Sequence, residues 1–198
     1  MKAFNGYKAR KQGGEREKLP AGGYVAKIMS AEEVSYSWGS ILLISFDIAE
    51  GEYKDFFRKD YQENTNEDKK WRGTYRLRIP KDDGSEKDGW TKNTFGGAMW
   101  AVEESNQGYA WNWDEKSLKG KMVGVLFRNK EWEMNGNTGW TTECCKLESV
   151  EDIRNGKFRM PKDKPLDNKA ESSNASDFVP NIEMDDNEKL PWENEGAL

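Results

Sequence analysis

The stretch SILLISFDIAEG, residues 40–51, sets Leu42, Ile44, Phe46 and Ile48 at every second position. Successive side chains of a strand point to opposite faces, so this spacing predicts a strand in a sheet with one buried face. Upstream, GGYVAKIMSAEEVSYS is a second β-rich run, and Trp38-Gly39 between the two marks a hairpin turn. Downstream, WRGTYRLRIP predicts a third strand that stops at Pro80, with Trp71, Gly73, Tyr75, Leu77 and Ile79 on one face and Arg72, Thr74, Arg76 and Arg78 on the other. A long hairpin, KGKMVGVLFRNKEWEMNGNTGWTTECCKLESV, closes the body. Its turn is assigned to Asn135-Gly136 and Thr138-Gly139, flanked by Trp132 and Trp140.

Two helical segments interrupt the strands. YKDFFRKDYQEN reads as a short helix. KDDGSEKDG reads as a loop, and WTKNTFGGAMWAVEES carries Phe95, Met99 and Val102 near helical spacing, although Gly96-Gly97 weakens that pattern. The order strand, strand, short helix, strand, helix, strand, strand predicts a mainly β chain. It fits an OB-fold-like five-stranded Greek-key barrel with one or two helices, an order that other small α+β folds share. Residues 1–18 read as a mobile arm, 19–165 as the folded domain and 166–198 as a disordered acidic tail.

Charge supports that division. Residues 1–165 hold 29 basic and 27 acidic side chains, whereas residues 166–198 hold 2 and 9. Charged residues make up 34% of the chain against a usual ~25%. The nine Trp nevertheless exceed what a chain without a core carries. A nearly neutral body cannot hold a polyanion by bulk charge, so any such binding requires a local basic stripe.

Several chemistries are disfavoured. The chain has no His, which removes the usual catalytic triads and histidine metal sites. The only cysteines, Cys144 and Cys145, are adjacent and read as reduced thiols of a cytoplasmic protein. The acid pairs Asp82-Asp83, Glu103-Glu104 and Asp114-Glu115 lie in no metal or catalytic motif, and GGAMW lacks the Lys of a phosphate loop. The expectation is a protein that is not an enzyme and needs no cofactor or metal. No signal peptide or long apolar run suggests a membrane.

Two constellations could carry binding. The first is the basic face of the third strand, Arg72, Arg76 and Arg78, preceded by Lys69 and Lys70. An ordinary solvated strand face is the competing reading, but Arg can contact phosphate and also stack on a base. The second is Trp38, Trp132 and Trp140 at the hairpin turns. Trp132 and Trp140 are either a cross-strand pair that pins the hairpin or platforms for bases. Of the remaining indoles, Trp90 and Trp100 are expected to anchor the helix, and at least one of Trp111 and Trp113 to pack in the core.

The segments KLPAGGYVAKIM, ILLISFDIAEGEYKDFF, KKWRGTYRLRIPKDDGS, DGWTKNTFG, GVLFRNKEWEMNGNTGWTTEC and GKFRMPKDKP span roughly residues 18–165. Across them the body resembles a family of phage and prophage single-stranded DNA-binding proteins of Gram-positive hosts. The end of the chain, MDDNEKLPW, is similar to the acidic tip of bacterial single-stranded DNA-binding proteins, with Asp185, Asp186, Leu190, Pro191 and Trp192 in the matching places. Lys189 interrupts the acids, and ENEGAL follows the tip, so a pocket that grips a terminal carboxylate could not act in the usual way. The resemblance implies a domain that coats single-stranded DNA in the host cytoplasm. It also implies a tail that docks replication or recombination proteins through those five residues. An interaction module that engages a host or phage enzyme without nucleic acid is the alternative. A homo-oligomer is compatible with the sequence, which sets no stoichiometry.

Overall fold

The computed structural model describes residues 17–65 and 68–166. The docking tip, Asp185 to Trp192, and residues 1–16 of the predicted arm lie outside the described residues. Five antiparallel strands form one sheet: β1 (Gly22–Tyr36), β2 (Gly39–Ile48), β3 (Thr74–Arg78), β4 (Met122–Met134) and β5 (Asn137–Glu148), in the order β3-β2-β1-β4-β5. Helix α1 (Phe56–Glu63) follows β2, α2 (Glu86–Ser105) follows β3, and α3 (Val150–Arg154) follows β5.

The long β1 serves both halves of the sheet. Its N-terminal residues pair with β4, from Gly22↔Phe127 to Lys27↔Met122, and most of its length pairs with β2. The sheet curls enough that Cα atoms of its two edges, β3 and β5, come within 8 Å of each other. The inner face is the core: Ile28, Ile44, Phe46, Ile48, Leu77, Val123, Val125 and Phe127 are all buried. Period-two patterning placed Leu42, Ile44, Phe46 and Ile48 inward and the β3 faces as expected, with Tyr75 and Leu77 buried between Arg76 and Arg78. But β2 is not buried on one face alone: Ile41, Ser45 and Asp47 on its other face are buried as well, because β2 lies inside the sheet and is covered on both sides.

Helix α1 inserts Phe56 and Phe57 under the sheet, where the Phe57 ring lies across those of Phe46, Phe127 and Trp71. Its cap comes from another element. Asp55, the residue at its start, makes no side-chain cap, while buried Asp47 on β2 accepts from the N–H groups of Phe57 at 3.0 Å and Arg58 at 3.2 Å. Burial pushes the Asp47 carboxyl up from its ordinary value, against the opposing effect of these backbone bonds. Gly73 is required nearby, because a Cβ there would meet the Phe46 carbonyl and lie 2.6 Å from the Phe57 ring.

Helix α2 begins earlier than the sequence pattern implied. Ser85 accepts from the Asp88 N–H at 3.1 Å, and Glu86 and Asp88 occupy the first turn, so the helix starts inside the segment read as a loop. It continues through Gly96-Gly97. Each Gly costs ~1 kcal/mol relative to Ala in a helix. Burying Phe95, Met99 and Val102 returns ~1.5–3 kcal/mol apiece, which is the larger sum.

Three further expectations change. The β4–β5 turn is Asn135-Gly136 alone, with φ of 52° and 76°, the two positive values that a two-residue hairpin turn of matching twist needs; Thr138 and Gly139 belong to β5. Trp90 and Trp100 do not anchor α2, since they are 60% and 49% exposed on its outward side. Lys18, assigned to the arm, is tied down: its Nζ donates to the Trp140 carbonyl at 3.0 Å, beside a buried Leu19 whose carbonyl accepts from Thr142 Oγ1.

Candidate nucleic-acid interface

The outer face of β1–β2–β3 carries an aromatic and cationic cluster at the β1–β2 turn. The Tyr36 and Trp38 rings stack in parallel, 5.1 Å between centroids and 6° apart in plane. The Arg78 guanidinium lies 5.0 Å from the Trp38 ring centre, and Ile41, paired with Arg78 across the β2–β3 ladder, is fully buried. Arg78 Nε is buried without a hydrogen-bond partner among the described residues. Lys81 closes the cluster, its Cε packed against Gly39 at the turn.

The expected basic stripe is thus divided. Arg78 belongs to the Trp38 cluster, and Arg76 lies outward in register with Leu43 and Glu32 across the three strands. Arg72 is committed to α1, donating through Nε and Nη2 to both carboxylate oxygens of Asp60 at 2.9 and 2.6 Å. Lys69 leans the same way, its ammonium 4.4 Å from the Tyr61 ring centre, and Lys70 is exposed beside it. Tyr36 and Lys81 were missed in the sequence. The Tyr36-x-Trp38 spacing was the available signal, since alternate strand residues share a face.

The other two hairpin indoles are not a cross-strand pair. Trp132 stands opposite Gly139 and Trp140 opposite Glu131, which puts them on opposite faces of the β4–β5 hairpin. The Trp132 indole lies against Gly139, where a Cβ would be 2.7 Å from Cζ2. On that face Glu143 accepts from Arg128 and pairs with Lys130 at 3.1 Å. Burial acts to raise the Glu143 carboxyl, but Lys130 and Arg128 outweigh it and hold it below its usual value.

The cysteines sit at a β-bulge: Cys144 pairs with Phe127 and Lys146 with Leu126, so Cys145 is the extra residue. Both thiols are free, and burial pushes both up, Cys144 well above its ordinary value, so neither is a ready nucleophile. Trp111 packs against the core as expected of one of its pair, while Trp113 stacks on Phe95 and stays 75% exposed. Among the described residues no cluster of His, Cys, Asp or Glu could hold a metal ion, and no helix is long and apolar enough to cross a membrane.

The curled antiparallel sheet with an outward aromatic and arginine cluster defines a mainly β protein with a surface suited to a ligand that is both flat and anionic. No protein-family model and no curated protein matches the chain.

Proposed function

We propose that the chain is an OB-fold-like single-stranded DNA-binding protein. It would act in replication or recombination in the cytoplasm of a bacterial host and recruit partner proteins through its acidic C-terminal segment. Strand order supports the barrel reading. β1 is shared by β2 and β4, the edge strands β3 and β5 converge, and a helix joins β3 to β4. The observation that carries the ligand reading is the stacked Tyr36–Trp38–Arg78 cluster. An unstacked base can take the guanidinium's place on the indole, and the guanidinium can then turn to a phosphate. Double-stranded DNA keeps its bases paired and offers no such surface.

Titration with oligo-dT while following Trp fluorescence tests this. Quenching that saturates, and that weakens as salt rises, is the expected result. A protein that stays unquenched at low salt is not a single-stranded DNA-binding protein. The alternative, an interaction module that binds no nucleic acid, is favoured by the outward Trp90 and Trp100 on α2, and would survive that outcome.

A further inference from the structure

The β1–β4 ladder ends at Gly22↔Phe127, so β4 beyond that point has lost its β1 partner. The chain that follows α3 takes the vacant edge. Lys164 N–H donates to the Asn129 carbonyl and the Glu131 N–H to the Lys164 carbonyl, both at 2.8 Å, in a parallel bridge of Lys130 with Lys164. Asn129 Nδ2 donates to Asp163 Oδ1 at 2.9 Å, and the Leu166 N–H to Glu131 Oε2 at 3.0 Å.

This strap has a defined handedness. Bridged residues share a face, so Lys164 stands on the side of Lys130 and, two residues along, of Trp132. Asp163 turns the other way, to Asn129; continued alternation along the strap would put Lys162 back on the side of Lys164. Arg128, Lys130 and Lys164 are then on the Trp132 face of the hairpin, and alternation assigns Lys162 to it as well. One carboxylate on this face, Glu143, is already shared by Arg128 and Lys130. The ammonium groups of Lys162 and Lys164 have no partner among the described residues. The Trp140 face differs, with Glu131 opposite the indole.

We infer that Trp132, Lys162 and Lys164 form a second contact for single-stranded DNA, with a base on the indole and phosphates on the two lysines, and that Trp140 takes no part. The inference rests on the DNA-binding reading above and extends it to a separate patch. The β1–β2 and β4–β5 turns project past opposite ends of β1. Between them α3 and Phe158 cover the outer face, where Ile153 packs on Gly124 and Phe158 on Gly23. A strap serving only to tidy a sheet edge needs its backbone bonds and has no use for two unmatched cations beside an exposed indole.

The test is oligo-dT titration of the full chain across a range of salt concentrations, for wild type, Lys162→Gln/Lys164→Gln, Trp132→Phe and Trp140→Phe. Each lost phosphate contact lowers the slope of log K against log salt by about 0.7, so the double lysine variant should lose about 1.4. Its urea midpoint should match wild type, because neither ammonium is bonded. Trp132→Phe should lose part of the fluorescence quench, and Trp140→Phe should keep the wild-type share. If wild type binds and the lysine variant has an unchanged slope, the strap contact is wrong while DNA binding stands. Equal loss of quench in the two Trp variants also overturns it. Absence of binding by wild type overturns both readings.

Discussion

The guanidinium of Arg78 and the indole of Trp38, 40 residues apart in sequence, lie 5.0 Å from one another, brought together by the Ile41↔Arg78 pairing of β2 with β3. Tyr36, stacked on the same indole, fixes its orientation. Pre-oriented rings cost less to order when a ligand arrives. Trp38→Ala should therefore weaken oligo-dT binding by about 1–3 kcal/mol, the usual worth of one stacked base. Arg78→Gln should lower the salt slope by about 0.7. Fluorescence titration at two salt concentrations reads both effects.

Arg72 should behave differently from Arg78. Its guanidinium already grips Asp60, so Arg72→Gln should leave the oligo-dT salt slope where it was. It should cost stability instead, by about 0.2–1 kcal/mol as for other exposed pairs. A drop in slope equal to that of Arg78→Gln would show that DNA displaces the Asp60 pair.

Glycines on the two sides of the core should respond with opposite signs. Gly96→Ala and Gly97→Ala put a methyl into open space on a helix at ordinary φ, so each should stabilise by about 0.4–1 kcal/mol. Gly73→Ala forces a methyl against the Phe46 carbonyl and the Phe57 ring, and should destabilise by about 1–3 kcal/mol. Thermal midpoints of the three variants decide.

Acid should loosen the β4–β5 hairpin through Glu143. Its carboxyl is held below the usual value in the folded state, so its contribution is complete above the unfolded value near 4.5 and disappears as pH falls through the lower folded value. Glu143→Gln should be less stable than wild type at pH 7, with the gap closing in strong acid. Urea midpoints at pH 7 and pH 3 give the comparison, and a gap independent of pH would assign Glu143 no net ionic role.

Removal of residues 166–198 takes away 9 acidic and 2 basic side chains. Oligo-dT affinity should hold or rise, with a gain that shrinks at high salt because competition between carboxylates and phosphates is screened. Trp192→Ala should leave DNA affinity intact yet remove most partner capture, since one aromatic tends to dominate a short docking peptide. Pull-downs from infected cells with the full chain, the truncation and Trp192→Ala should differ; identical recovery would leave the segment without a docking role.

Much of the sheet was legible in the chain because strand periodicity is local. Leu42, Ile44, Phe46 and Ile48 announce their inward face within seven residues, and Tyr75 and Leu77 do so within three. Only the tertiary structure decided what became of the outward residues. Arg72, Arg76 and Arg78 look equivalent in sequence, yet Arg72 falls in the segment before β3, where Asp60 of α1 claims it, while Arg78 ends β3 beside Trp38 of the β1–β2 turn. Trp132 and Trp140 look like a matched pair around a turn. The two-residue Asn135-Gly136 turn set the register, and one residue of register is the difference between the same face and opposite faces. Asp47 capping α1 and Lys164 joining the edge of β4 depend on contacts across 10 and 34 residues, which no local pattern records. Side-chain alternation belongs to the sequence; the partner each outward side chain meets belongs to the fold, because burial and register bring it there from elsewhere in the chain.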